Sequence, residues 1–148
     1  MTGMMMPNDA LLGSVSGMLS EGRAVVIKAR GGSMLPFIVG DRDSVELVRA
    51  ESYQPYDIVL AEIRPGMYVL HRVFVMEGDR VTLQGDGNLR GVEKCSVCDI
   101  KGKVAHIIRP SGRETACSSE RFLRRSRRWR LAPYFVKRIY LAIFRRMI

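Results

Sequence analysis

Three polar residues stand beside glycines or inside apolar runs, in settings where side-chain chemistry is often placed. They are Ser33 in Gly31-Gly32-Ser33-Met34-Leu35-Pro36, His71 in Val69-Leu70-His71-Arg72-Val73 and Asp86 in Gln84-Gly85-Asp86-Gly87-Asn88. A serine hydroxyl is a poor nucleophile near neutrality until a base takes its proton. Imidazole, with an ordinary pKa of ~6.5, suits that task best. A buried neutral lysine could also serve. The run Met67–Met76 holds no lysine, however, and Arg72 stays protonated. His71 is therefore the base expected for Ser33. The glycines ahead of Ser33 would let a substrate carbonyl approach the main chain, where the Ser33 N–H could donate to an oxyanion. Each residue also has a plainer reading. A serine after two glycines suits a turn, a histidine in an apolar strand suits a partly buried core, and Gly-Asp-Gly-Asn suits a tight turn.

The elements that must position these residues read as short strands. Arg23–Ala29 is β-branched, Ser44–Arg49 alternates Val45 and Leu47 with polar neighbours, and Asp57–Ile63 is followed by a Pro65-Gly66 turn. Met67–Met76 is a long strand that turns at Gly78-Asp79 into a short one over Arg80–Leu83, and Lys103–Ile108 closes the series. Six or so strands with frequent turn signals predict a mainly β domain over residues 23–109. Ahead of it, in residues 1–22, a Met-rich stretch over residues 1–9 is expected to be loose. A short helix then covers Ala10–Ser20, capped by Asn8 or Asp9, with Leu11, Leu12, Val15 and Leu19 on one side and Gly22 at its end. Residues 110–120, Pro-Ser-Gly-Arg-Glu-Thr-Ala-Cys-Ser-Ser-Glu, have the composition of a linker.

The charge is unevenly placed. The 148 residues carry a net charge of +9, from 24 Lys/Arg and 15 Asp/Glu. Ten of the cations and none of the acids lie in residues 121–148, so residues 1–120 sum to −1. A basic tail on a near-neutral domain argues against a generally basic nucleic-acid-binding fold, and no nucleic-acid partner is expected. The apolar share of 47% is ordinary for a globular chain. No stretch reads as a transmembrane helix or a convincing signal peptide, which places the protein in the cytoplasm or peripherally on a membrane.

In order along the chain, several short motifs resemble those of the signal peptidase I clan, which includes the LexA-type self-cleaving repressors. Gly32-Ser33-Met34-Leu35-Pro36 resembles its serine box, followed by Gly40-Asp41 as in the clan. Tyr56-Asp57-Ile58-Val59 resembles its Gly-Asp-hydrophobic strand, and His71-Arg72-Val73 the His-Arg-Val of the archaeal and endoplasmic-reticulum type. Gly85-Asp86-Gly87-Asn88 resembles the Lys-Gly-Asp-Asn-Asn box, and Lys101-Gly102-Lys103-Val104 the closing Gly-Lys-Val strand. The resemblance spans residues 23–108. It implies a signal peptidase/LexA-like β domain with a cleft for an extended peptide. By that match Ser33 is the nucleophile and His71 the general base, with Gly32, Ser33, Met34 and Pro36 around the oxyanion and substrate. The His-type relatives support the base with an acid beyond the Gly-Asp pair. Here that stretch, Leu89-Arg90-Gly91-Val92-Glu93, has no aspartate, so Asp86 or Glu93 must substitute, with Asp86 preferred. Two readings follow: a serine endopeptidase acting on a leader or signal segment of a peptide or protein, without a metal or cofactor, or an inactive clan member that binds peptides or regulates.

The remaining features are the cysteines and the tail. Cys95 and Cys98 form a CxxC that, with His106 and Cys117, offers zinc-ligand types at irregular spacing; small partly buried residues are the plainer reading. In the tail, Arg121–Arg130 is a dense cationic cluster, and residues 131–148 are apolar with spaced charge. On a helix, Phe135, Ile139, Ala142, Ile143 and Met147 share a side opposite Lys137, Arg138 and Arg145. Two outcomes are expected with equal weight: a helix lying on an anionic membrane surface, or one whose apolar side packs on the domain.

Overall fold

In a computed structural model that describes residues 8–148, the alternating apolar runs become an eight-stranded, wholly antiparallel sheet with helices at both chain ends. The strands are β1 (Val25–Lys28), β2 (Ser44–Val48), β3 (Ile58–Arg64), β4 (Met67–Glu77), β5 (Arg80–Gln84), β6 (Glu93–Ser96), β7 (Ile100–Ile108) and β8 (Glu114–Ala116). Their order is β1-β2-β7-β3-β4-β5-β6, with β8 paired to β7. The mainly β class is as the sequence pattern predicts. The loose start falls outside the described residues over 1–7, and Asn8 and Asp9, expected to cap the helix, lie within α1 itself.

Central position in the sheet explains the burial of β3. Side chains alternate across a strand. Ile58 and Leu60 enter one core with Val45, Leu47, Val104 and Ile107, while Val59 and Ala61 enter a second with Val73, Val81, Leu83 and Ile100. The sheet thus has a packed core on each face along its middle. Helix α1 (Asn8–Ser20) lays Leu12, Val15 and Leu19 into the first core. It ends as its sequence requires: Gly22 takes φ +83°, and the Arg23 N–H reaches back to the Met18 carbonyl.

Two strands escaped the sequence pattern. Glu-Lys-Cys-Ser in β6 and Glu-Thr-Ala in β8 are short, polar and lack apolar alternation, so they are defined by their partners: β6 by β5, and β8 by the end of β7. Residues 110–120 are accordingly not a free linker. Arg109 N–H and the carbonyl of Arg113 close a turn, and His106, Ile107 and Ile108 pair with Ala116, Thr115 and Glu114. The tail forms two helices rather than one. Ser119 caps α2 (Glu120–Leu131) by accepting from the Phe122 N–H, and Pro133 separates it from α3 (Tyr134–Met147). Phe122 and Ser126 of α2 and Leu141 of α3 are buried. Among the described residues, no helix is long and apolar enough to cross a membrane.

The segment between β1 and β2, which carries Ser33, is fastened by Asp43. This carboxylate is fully buried. It accepts from the Val39 N–H at 2.8 Å, from Arg42 Nε at 2.8 Å and from Arg109 Nη1 at 2.5 Å. Losing it strands a buried N–H and two guanidinium groups, a mechanism associated with losses of about 3 kcal/mol. Asp43→Ala is expected to lower the unfolding free energy in urea by about that amount. A loss below about 1 kcal/mol, within the range of an exposed ion pair, would contradict this role.

Candidate functional site

His71 and Arg72 are neighbours on β4, so their side chains leave opposite faces of the strand. Both are buried. His71 faces a cavity of about 180 Å³ together with Ser33, Met34 and Gly31 from the loop after β1, Ile27 and Lys28 from β1, and Leu11 and Leu12 from α1. The expected serine and histidine therefore share one cavity. Gly32 and Pro36, expected beside them, do not line it.

The ring of His71 is oriented by Glu93, at the start of β6. Its Nδ1 lies 2.5 Å from Glu93 Oε1. For a neutral imidazole the carboxylate selects the tautomer with hydrogen on Nδ1, because a carboxylate can only accept. The lone pair is then left on Nε2, for which no hydrogen-bond partner is found among the described residues. No hydrogen bond joins Ser33 to His71 among the described residues. The two meet instead across Gly85: a Cβ on Gly85 would strike the Ser33 carbonyl and come within 3.2 Å of His71 Cδ2. The N–H of Ser33 likewise has no hydrogen-bond acceptor among the described residues.

Asp86, preferred from the sequence as the acid behind His71, does something else. It grips Arg72, with Nη2 2.6 Å from Oδ2 and Nε 3.2 Å from Oδ1. The backbone alternation dictates this outcome: Asp86 lies on the Arg72 face of β4, and Glu93 reaches the His71 face. The remaining Arg72 donors meet the Tyr56 carbonyl at 3.1 Å and Ser126 Oγ at 3.0 Å. Phe37 and Phe122 lie against the guanidinium, with ring centroids 5.1 and 5.5 Å away. Trp129 Nε1 donates to the Asp86 carbonyl at 2.9 Å. Helix α2 thereby clamps the 85–88 turn in place.

That turn in turn holds the serine loop. The Gly87 N–H donates to the Ser33 carbonyl at 2.9 Å, and a Cβ on Gly87 would lie 2.7 Å from the Gly32 carbonyl. The approach of the two loops excludes any side chain at positions 85 and 87. Sequence reading identified the turn but not its purpose. The spacing of Phe122, Ser126 and Trp129 along one side of α2 was the available signal for the clamp.

A second cavity, about 250 Å³, lies on the Arg72 side of β4 between the 85–88 turn and the tail helices, and includes neither Ser33 nor His71. Arg130 and Lys137 line it, and burial lowers the Lys137 ammonium from its ordinary value. The Ser33 cavity is the smaller of the two. It alone combines a hydroxyl with an oriented base, and that chemistry, rather than size, makes it the candidate site.

Two sheet edges border the Ser33 cavity. Among the described residues, strand β1 pairs only with β2. Strand β4 pairs with β3 along its first half, but with β5 only from Arg72 onward, so that among the described residues one edge of Met67–His71 has no strand beside it. An extended chain laid between them would find backbone donors and acceptors.

The CxxC does not assemble a metal centre. His106 Nδ1 lies 2.7 Å from Glu46 Oε1, and among the described residues no three His, Cys, Asp or Glu side chains converge for a metal ion. Burial pushes the Cys95 thiol up to about 11 and the Cys117 thiol up to about 12. Compared with known proteins, the chain matches no family model and no curated protein.

Two measurements follow. Glu93→Gln should retain the fold but lower any rate that depends on His71 by ~10²–10⁴-fold, because an amide no longer selects the tautomer. Asp86→Asn should chiefly lower stability, because it leaves the buried Arg72 charge uncompensated. The reverse pattern in rates and unfolding curves would exchange their roles. In the native protein at pH 8, iodoacetamide should label exposed Cys98 first, since the thiolate is the reactive form and burial keeps Cys95 and Cys117 protonated. Equal labelling of all three, read by mass spectrometry, would contradict this.

Proposed function

We propose that the protein is a serine endopeptidase that cleaves an extended peptide segment with Ser33 as nucleophile and His71 as general base. One observation carries the reading: His71, held at Nδ1 by Glu93, lines the same cavity as Ser33. A hydroxyl, a base and an acid that orients the base make up the working parts of acyl transfer. When substrate fills the cavity, His71 Nε2 takes the Ser33 proton as Oγ attacks the carbonyl. The proton then passes to the leaving amine, and water completes hydrolysis by the same route. The Ser33 N–H donates to the oxyanion. The Glu93 carboxylate stabilises the imidazolium as it forms.

The open edges of β1 and β4 support an extended substrate. Pairing along both would fix the scissile carbonyl over Ser33 without reading much sequence. Leu11, Leu12, Ile27 and Leu70 give the cavity an apolar wall, which suits an apolar side chain beside the cleaved bond.

The resemblance to the signal peptidase I clan, with its signal peptidase/LexA-like fold, is consistent with this geometry. Tyr56 stands where the clan's strand motif has glycine, and its φ of +77° lies in the region glycine favours. Glu93 then takes the place of the missing aspartate. A leader or signal segment is the corresponding substrate class. A second reading, a peptide-binding module without catalysis, is favoured by the lack of a hydrogen bond between Ser33 and His71.

Cleavage of a random-sequence peptide library, followed by mass spectrometry, tests both. Wild type should cut, and Ser33→Ala and His71→Ala should each lower the rate by ~10³-fold or more. The double variant should be no worse, because the pair acts as a unit. Full activity in His71→Ala would remove the assignment. Peptide binding without cleavage by wild type would establish the second reading.

A further inference from the structure

Helix α3 docks by the side that carries Leu141. Leu141 is its buried residue, packed with Leu35 and Val39 of the segment that follows Ser33, and Lys137 and Phe144 are half-buried on the same side. The apolar side faces outward. Phe135 is 63% exposed, Ile139 55%, Ile143 56% and Met147 77%, each four residues after the last, with exposed Val136 and Ala142 beside them. Spacing of this kind makes one continuous stripe rather than scattered apolar residues. Arg138 and Arg145 run along one edge of it, and Arg146 projects from within it near the C-terminal end.

We propose that this outer face of α3 seats the protein on an anionic lipid bilayer, with the helix axis in the plane of the interface. An apolar stripe flanked by guanidinium groups matches a headgroup layer with hydrocarbon beneath it. The fourteen residues of α3 extend only ~21 Å, too short for a ~30 Å hydrocarbon core, so the helix lies on the membrane and does not cross it. Charge selects the occupant. Residues 121–148 hold ten cations and no acid, and Arg121, Arg124, Arg125, Arg127 and Arg128 of α2 are all exposed. A second copy of this chain, docked stripe to stripe, would bring Arg138, Arg145 and Arg146 against the same residues of its partner without an acid between them. Phosphate headgroups neutralise these charges. Because Leu141 rests on Leu35 and Val39, lipid binding carries the Ser33 loop to the bilayer, where peptide segments leaving a membrane are within reach. Binding itself does not depend on the chemistry of Ser33.

Sedimentation of the full chain with vesicles tests this. Wild type should pellet with phosphatidylcholine vesicles containing phosphatidylglycerol and remain in the supernatant with phosphatidylcholine alone. The triple variant F135S/I139S/I143S, altered only at exposed positions, should bind at least tenfold more weakly while keeping its unfolding curve and its cleavage of soluble peptide. The variant R138Q/R145Q/R146Q should bind more weakly, and raised salt should have less effect on it than on wild type. Unchanged binding by the serine variant would overturn the proposal, as would failure of wild type to pellet. A wild-type dimer that the serine variant dissociates, without lipid binding, would instead assign the face to a second copy. A wild type that binds lipid but cleaves no peptide would count against Ser33 as nucleophile and leave this proposal standing.

Discussion

The buried Arg72–Asp86 pair is the constraint on which the candidate site depends. Moving a guanidinium out of water is costly unless its donors are satisfied and its charge is balanced. Here a bidentate carboxylate, the Tyr56 carbonyl and Ser126 Oγ satisfy it, and two aromatic faces surround it. The participants come from β4, from the turns at Tyr56 and Asp86, and from α2. None can move far without exposing or stranding the charge. The strand, the turn and the helix are therefore held in one arrangement.

The placement of Ser33 and His71 follows from that arrangement. With Asp86 held by Arg72 and its carbonyl held by Trp129, Gly85 and Gly87 press against the Ser33 loop. From the other side, Asp43 gathers Val39, Arg42 and Arg109 around the end of the same loop. Ser33 is thus placed by two carboxylates, one buried and one half-buried, that make no hydrogen bond to it. His71 is placed by the strand that carries Arg72 and aimed by Glu93. The two faces of β4 divide the work. One bears a closed electrostatic lock, while the other bears His71, held at Nδ1 by Glu93.

The basic tail is two structures with different relations to the domain. Helix α2 belongs to the fold: Phe122 enters the main core, and Ser126 and Trp129 complete the Arg72 network. Helix α3 is attached chiefly through Leu141, and its larger apolar face remains in solvent. Exposed apolar surface of this extent is unfavourable in water unless something covers it. That asymmetry gives the tail an outward role, whereas charge alone would have suited a merely solvated helix.

Much of this was legible from local pattern. The β class followed from β-branched alternation in the stretches that became β2, β3, β4 and β5, and α1 followed from its apolar spacing and the Gly22 stop. Ser33 and His71 stood out because hydroxyl and imidazole chemistry is a property of residue type. The polar strands β6 and β8 were hidden, since their conformation is imposed by pairing with β5 and β7 and not by their own side chains. The tertiary structure also decided which acid serves His71. Asp86 and Glu93 are equivalent as carboxylates, and only the alternation of β4 against its neighbours sends one to Arg72 and the other to the imidazole. Finally, helical periodicity defined the two sides of α3 but could not say which would be covered. That depended on where Leu35 and Val39 presented a place for Leu141, a fact of packing between residues a hundred positions apart in the chain.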